Sequence, residues 1–436
     1  MATLWNKGTS CTADVERFTV GKDRELDMKL AYWDVQGSIA HIRMLEKIGL
    51  LSSDELAALV PQLESIAQSI KAGEFRIEDD VEDIHSQIEL QLTRALGETG
   101  KKIHSGRSRN DQVLVDIKLF LRDELKTLRD ECRQLFDTLQ ELSEKYKDVI
   151  LPGYTHLQVA MPSSFGLWFG AYAECLVNDV QMLRGAYNVV NRNPLGSAAG
   201  YGNSFPLDRE YTTEQLGFAS PDYNSVAAQL SRGKAELCTA SSIACIALTL
   251  NKFASDCCLY MCPNFGFIKF PDSLTTGSSI MPHKKNPDVG EIMRGECNRI
   301  MSVQNEIAIM CSNMPHGYHR DYQLLKEVLF PALDKMHDCL SMADYMLKHI
   351  RVNTEILKKP GYEYMFTVEE VNRRVLNGVP FREAYRQVGT EVNNGDFGYS
   401  EIAALKPSDL HHTHCGSIGN LCNDRIAVLM DKACDW

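Results

Sequence analysis

A long run of the chain repeats apolar residues at the spacing of one helix face. Residues 107–151 contain neither glycine nor proline. Steps of three and four separate the apolar residues of this run, which are Val113, Ile117, Leu121, Leu125, Leu128, Cys132, Leu135, Leu139, Leu142 and Tyr146. This spacing predicts one amphipathic helix. At ~1.5 Å per residue the helix would be about 65 Å long, so other long helices must cover its apolar face.

Four further stretches have the length of long helices. They are residues 163–193, 223–262, 290–314 and 322–350, and we expect Pro331 to kink the last of them. About five long helices with unpaired apolar faces predict a central helical bundle.

Shorter helices are predicted on both sides of this bundle. Between residues 34 and 97 they are separated by Gly49, Pro61 and Gly73, and residues 366–392 give two more around Gly378–Pro380. No convincing strand pattern stands out. We therefore predict an all-α fold with three domains, an N-terminal helical domain (residues 1–106), the central bundle (107–350) and a small C-terminal helical domain (351–436).

Composition narrows the class of protein. The chain has 436 residues, 44% of them hydrophobic, which is typical of a packed globular protein. Its net charge of −12 argues against binding to nucleic acid or to acidic membranes, because those partners need a basic surface. The apolar window 238–250 is short and rich in serine and threonine, so it predicts a buried helix and no membrane span.

The start of the chain and its cysteines point to the cytoplasm. The first residues have neither a basic flank nor an apolar segment, which argues against a signal peptide. Fourteen cysteines occur without a CxxC pair, which favours free thiols in a reducing compartment over a disulfide framework.

The segment GSSIMPHKKNP, residues 277–287, carries the most suggestive chemistry. Ser278 offers a hydroxyl, Lys284 a positive charge and Asn286 a neutral amide, and Glu291 follows at the start of the next predicted helix. Such a loop could close over an anion. The alternative is a solvated turn with incidental lysines.

Two other polar segments carry candidate binding groups. In PGYTHLQ (residues 152–158), Thr155 and His156 follow a Pro-Gly break, and the imidazole could transfer a proton or only stabilise the loop. In HSGRSRNDQV (residues 104–113), Ser108, Arg109 and Asn110 stand at a predicted helix start, where they could bind a carboxylate or only cap the helix.

Histidines outside these segments allow weaker hypotheses. The cluster HHTHC, residues 411–415, could bind a metal, but it has no second spaced pair of ligands and more simply packs the last domain. Residues 78–89 are acidic, and Asp79 to Asp83 are interpreted as a solvated helix entrance, whereas His85 is a candidate functional residue.

Together these segments and DVQGS (residues 34–38) resemble the argininosuccinate lyase and delta-crystallin family of the fumarase/aspartase superfamily. The 277–287 loop is similar across the superfamily, whereas HSGRSRNDQV and PGYTHLQ are typical of this family. The resemblance runs from Leu4 and Trp5 to Tyr385. It implies a homotetramer whose active sites are each assembled from three subunits. It also implies reversible elimination of argininosuccinate to arginine and fumarate in arginine biosynthesis, without metal or cofactor.

The resemblance also implies roles for individual residues. Ser278 would be the general base, and His156 paired with Glu291 would protonate the leaving nitrogen. The alternative in which His156 is the base stays open. Lys284 and Asn286 would stabilise the carbanion. The remaining residues implied around the substrate are His85, Ser108, Arg109, Asn110, Thr155, Tyr318, Gln323 and Lys326.

The chain departs from the family wording at two places. Gly21 to Asp23 stand where the family has a substrate-contacting serine, and two leucines replace acidic residues at 324 and 325. An N-acylated argininosuccinate is therefore a second candidate substrate. The competing functions are another fumarate-forming lyase, such as adenylosuccinate lyase, and a crystallin-like protein without activity.

Overall fold

The computed structural model describes residues 13–399 and 402–436, so Leu4 and Trp5 lie outside it. Helices form most of the described chain, as the all-α prediction requires. Their bounds are α1 (Ala13–Val20), α2 (Asp23–Asp27), α3 (Ala31–Lys47), α4 (Ser53–Lys71), α5 (Ile84–Leu96), α6 (Glu98–Lys101), α7 (Arg109–Lys145), α8 (Phe165–Val190), α9 (Arg209–Gln215), α10 (Ser225–Leu230), α11 (Lys234–Met261), α12 (Asp288–Cys311), α13 (Leu325–His349), α14 (Thr367–Leu376), α15 (Phe381–Asn394) and α16 (Asn423–Cys434).

The described residues include eight short strands, which pair two by two. They are β1 (Ile150–Thr155), β2 (Gln158–Ser164), β3 (Arg192–Asn193), β4 (Ser220–Pro221), β5 (Ile268–Lys269), β6 (Thr276–Gly277), β7 (Lys285–Asn286) and β8 (Arg351–Val352). The pairs are β1 with β2, β5 with β8 and β6 with β7, all antiparallel, and β3 with β4, which is parallel.

The chain forms two compact units. Unit 1 comprises residues 1–128, 182–244 and 299–336, and unit 2 comprises residues 129–181, 245–298 and 337–436. The division into three domains stays a prediction.

The predicted long helices are confirmed as α7, α8, α11, α12 and α13, of 37, 26, 28, 24 and 25 residues. Along α7 the predicted apolar positions Leu121, Leu125 and Leu128 are fully buried. The predicted stretch 223–262 is interrupted before α11, where Gly233 adopts a positive φ of 76°.

Two sequence predictions need correction. Pro61 was expected to separate helices, but it lies inside α4. Because Pro61 is exposed, water can hydrate the carbonyl that loses its helical hydrogen bond. The strand pattern was also missed at the β1–β2 hairpin. Pro152 and Pro162 interrupt the alternation there, and the pairing register shifts between Pro152 and Tyr154.

One helical stretch, Ser225–Met261, is long and apolar enough to cross a membrane by length and composition alone. In this structure 56% of its most apolar window is buried against the rest of the protein. Such burial is also found in the core helices of proteins that lie outside membranes. A buried helix was predicted for residues 238–250.

Candidate active site

A cavity of about 290 Å³ in unit 1 collects six of the predicted substrate-binding residues. They come from α5, from the start of α7 and from the segment that leads into α13. The lining consists of Asp23, Asp27, Glu82, Asp83, His85, Arg109, Asn110, Val113, Arg232, Tyr318, Arg320, Gln323 and Lys326. Distant parts of the chain therefore bring His85, Arg109, Asn110, Tyr318, Gln323 and Lys326 to one place.

Lys326 is buried in the wall of this cavity and is 4% exposed. Its ammonium group donates to Asp27 and forms an ion pair with Asp23. Burial would lower the pKa of Lys326, but Asp27 and Asp23 outweigh burial and raise it. Burial and the neighbouring Asp27 raise the pKa of Asp23 to about 6, against the attraction of Lys326. The two carboxylates thus compensate the lysine charge before any ligand binds.

Arg109 is held at the start of α7 by the start of α5. Its guanidinium donates to the carboxylate of Asp83, and Asp83 caps α5 by accepting a hydrogen bond from the backbone N–H of Ser86, at 2.8 Å. Ser108 is outside the cavity lining, and its hydroxyl accepts from the backbone N–H of Asn110 at 3.3 Å. Ser108 therefore serves the local structure of the helix start, whereas Arg109 and Asn110 reach the cavity.

His85 connects the cavity to a buried network of polar groups. Its Nδ1 atom bonds to Asp34, and Asp34 also accepts from Gln112 Nε2 at 3.0 Å. Burial would lower the pKa of His85, but Asp34 outweighs burial and raises it. The raised pKa favours the imidazolium form of His85, whose charge the Asp34 carboxylate balances.

Asp116 lies beside this pair, 3.6 Å from His85 Nδ1, and neither of its carboxylate oxygens has a hydrogen-bond partner. Burial raises the pKa of Asp116 well above its usual range, and the charge of Asp34 adds to this effect. Ligand atoms of Asp34, His85 and Asp116 lie within 4.8 Å of one another. Because Asp34 is already bonded to His85 and Gln112, and burial raises the pKa of Asp116, we assign no metal to this group.

Sequence reasoning missed several residues of the cavity. Arg232 is 3% exposed, its side chain lies over the ring of Tyr322, and its Nη1 atom has no hydrogen-bond partner. The sequence feature that could have indicated Arg232 is the segment SRGK, residues 231–234, which interrupts the predicted helix before α11. The acidic segment was interpreted as solvated, but Asp83 is buried at 8% exposure and that interpretation was wrong for it.

The segment around Ser278 forms the tip of a small hairpin in unit 2. β6 and β7 pair Thr276 with Asn286, and residues 278–284 join the two strands. The hydroxyl oxygen of Ser278 accepts from the backbone N–H groups of Ile280 at 3.3 Å and Met281 at 3.1 Å. These two donors would stabilise negative charge on the serine oxygen.

A second cavity, of about 1000 Å³, lies beside this hairpin in unit 2. Lys284, Asn286 and Glu291 line it, together with His283 and Lys285. Lys285 forms an ion pair with Asp272. The side chain of Lys284 is exposed. Ser278, Thr155 and His156 are not among the lining residues.

His156 stands at the tip of the β1–β2 hairpin. Thr155 pairs with Gln158, so His156 and Leu157 form a two-residue turn, and their φ angles are 53° and 58°. Two adjacent non-glycine residues in the left-handed region are costly, which marks this tip as a candidate functional turn. Within the described parts of the chain no hydrogen bond or ion pair joins His156 to Glu291, so their pairing stays a prediction.

The chain is similar to known lyases in sequence and in fold. A family model described as "Lyase" matches residues 10–302. The argininosuccinate lyase of Phocaeicola vulgatus is 56% identical over 432 residues, which cover 99% of this chain and 95% of that protein. A solved structure of an EDDS lyase variant with bound fumarate has a TM-score of 0.74 at 22% identity, covering 98% of this chain and 90% of that one. The class II fumarase of Schistosoma mansoni has a TM-score of 0.71 at 18% identity, covering 87% of this chain and 91% of that one.

Asp23 gives the first testable prediction. Its pKa is raised to about 6 in the folded protein, so its contribution to stability is complete below the unfolded value near 4 and is lost as pH rises through about 6. Replacing it by asparagine removes this dependence. As the pH rises from 4 to 6, the free energy of unfolding of the Asp23→Asn variant should therefore increase relative to that of the wild type by about 2 kcal/mol.

Thermal unfolding midpoints of both proteins across this pH range measure the effect. Asp14→Asn is the matched control, because the Asp14 side chain is 86% exposed. A difference between Asp23→Asn and wild type that stays constant with pH would contradict the raised pKa.

Proposed function

This chain belongs to the argininosuccinate lyase family and is a lyase, and on that premise we propose how its residues cleave argininosuccinate to arginine and fumarate. The observation that carries the chemistry is the Ser278 hydroxyl oxygen, which accepts two backbone N–H groups. A serine can remove a proton from carbon only if its alkoxide is stabilised, and two N–H donors supply that stabilisation.

In the proposed reaction Ser278 removes the proton from the carbon next to the succinyl carboxylate. The electron pair of the broken C–H bond is first held as a carbanion beside the carboxylate, and it then forms the double bond of fumarate as the C–N bond breaks. His156, with Glu291, donates a proton to the leaving guanidinium nitrogen. Lys284 and Asn286 hold the carboxylate that carries the developing charge, and both line the unit 2 cavity beside the Ser278 hairpin.

The unit 1 cavity is proposed to bind a carboxylate and the amino group of the substrate. Arg109 and His85 would bind the carboxylate in exchange for part of their pairing with Asp83 and Asp34, with Asn110, Tyr318 and Gln323 as neutral partners. Ser108 and Thr155 complete the set implied by the family resemblance.

At Lys326 two carboxylates, those of Asp23 and Asp27, face one ammonium group. An ammonium group suits this end of the cavity better than a carboxylate does. We therefore propose that the substrate has a free α-amino group, and that an N-acylated argininosuccinate, which lacks the ammonium, is not used.

A homotetramer with shared sites is proposed for two reasons. Apolar side chains are exposed on the long helices, including Leu248 on α11 and Ile292 on α12, and partner helices would bury them. Elimination also requires the base and the acid to reach one substrate, and a second copy of the chain could bring a His156 hairpin to a Ser278 loop.

The cytoplasm is the proposed location. The thirteen described cysteines are free thiols, as the sequence predicted, and free thiols are typical of a reducing compartment.

Substrate choice is tested by following fumarate release from three compounds. We expect turnover of argininosuccinate, and none of adenylosuccinate or of N-acetylated argininosuccinate. Release from adenylosuccinate alone would replace the proposed function with that of another fumarate-forming lyase. Absence of turnover in a correctly folded protein would favour a crystallin-like role.

The roles of Ser278 and His156 can be separated by isotope exchange. Ser278→Ala and His156→Asn should each lower kcat by about a thousandfold or more, because each removes one proton transfer. His156→Asn should still exchange the succinyl C–H with deuterated water, whereas Ser278→Ala should not. Ser279→Ala is the matched control and should keep wild-type activity. The reverse exchange pattern would make His156 the base.

A further inference from the structure

Two thiols approach each other closely in the loop that precedes α16. The Sγ atoms of Cys415 and Cys422 lie 3.1 Å apart, and either thiol can donate a hydrogen bond to the other. Both belong to unit 2, and neither takes part in the proposed elimination.

The loop is built so that it holds the two thiols together. The backbone N–H of Gly416 donates to the carbonyl of Asn420 at 2.9 Å, and the Ser417 hydroxyl donates to the carbonyl of His414 at 2.7 Å. Cys422 adopts a positive φ of 56°. The thiol contact is therefore part of an ordered turn that exists before any covalent bond forms.

The loop is also anchored to unit 2. Directly after Cys422, the buried Asn423 side chain donates to the Ser143 hydroxyl at 2.9 Å and to the Glu144 carboxylate at 2.8 Å. One end of the thiol pair is thus fixed to the start of α16.

Accessibility distinguishes this pair from the other cysteines. In the described part of the chain only Cys175 and Cys415 are exposed cysteines. Cys297 and Cys339 form another interacting pair, but they are 0% and 5% exposed, so a dissolved oxidant cannot reach them in the folded protein.

We propose that Cys415 and Cys422 form a reversible disulfide, with hydrogen peroxide as the oxidant. The Cys415 thiolate attacks one peroxide oxygen, the O–O bond breaks, and Cys415 becomes a sulfenic acid while the departing hydroxide takes up a proton and leaves as water. The Cys422 thiol then attacks this sulfur, the S–S bond forms as the S–O bond breaks, and a second water leaves with the thiol proton. Two thiols lose two electrons and the peroxide gains them. Reduction by a small thiol reverses the step through a mixed disulfide.

Cys415 has the environment expected of the thiol that reacts first with the peroxide. It is exposed, and the guanidinium of Arg425 lies 3.8 Å from its Sγ atom, where it can stabilise a thiolate. The hydrogen bond with Cys422 nevertheless raises the pKa of Cys415. The thiolate is then the minor form at neutral pH, so oxidation proceeds more slowly than at a dedicated peroxide-reducing cysteine.

The neighbouring histidines do not turn the pair into a preformed metal site. His412 Nε2 is engaged with Glu369 at 3.0 Å, and His414 Nδ1 with the carbonyl of Cys415 at 3.2 Å. Within the described residues, three metal-ligand atoms come together only at Asp34, His85 and Asp116.

Mass spectrometry of the full-length protein tests the proposal. The reduced protein is treated with hydrogen peroxide, alkylated and digested with trypsin. Both cysteines fall on one peptide, residues 387–425, because Lys406 is followed by proline. We expect this peptide to lose two hydrogens and to escape alkylation, and dithiothreitol to restore both thiols.

Single variants identify the order of attack. Cys422→Ser should accumulate a sulfenic acid at Cys415 that dimedone traps, whereas Cys175→Ser should form the disulfide as the wild type does. Full alkylation of both cysteines under peroxide that oxidises Cys175 would overturn the proposal. So would a peroxide-induced bond from Cys415 to another chain, or bound zinc that the Cys415→Ser variant loses.

Discussion

The long apolar faces of the central helices are the constraint on which the rest of the structure depends. A helix of 37 residues with leucines along one side is stable in water only if neighbouring elements cover that side. Along α7 the predicted face is buried, and the helix starts at Arg109, one of the cavity residues. Packing of the helices therefore fixes where their ends lie, and the polar segments at those ends carry the candidate chemistry.

Buried charge is the second requirement, and in unit 1 it is met pair by pair. Lys326 is compensated by Asp23 and Asp27, and His85 by Asp34. Each ion would be costly to bury alone, so these pairs set which side chains can face the cavity as cations and which are already neutralised. This balance of charge supports a binding site for a substrate ammonium group beside Lys326. The family resemblance did not identify the contacts at residues 21–23, because the chain departs from the family sequence there.

The helices could be predicted from sequence because their apolar spacing is periodic, and candidate site residues could be named because their polar segments are local. The spacing of apolar residues predicts α7, and the polar segments name Ser278 and His156. The β1–β2 hairpin was missed because Pro152 and Pro162 disturb the alternation of its strands. Asp83 was wrongly interpreted as solvated, and Arg232 was missed, because their importance comes from burial beside residues distant in sequence, which no local pattern reveals. Likewise, the closeness of Cys415 and Cys422 depends on how their loop folds back.

We propose that the proton-removing and proton-donating groups of one active site come from different copies of the chain. Mixing subunits of His156→Asn and Ser278→Ala after reversible dissociation tests this claim most directly. If the sites are shared, some sites in the hybrids receive both intact residues, and activity should approach about a quarter of wild type. Well-exchanged hybrids that stay as inactive as either parent would contradict the claim.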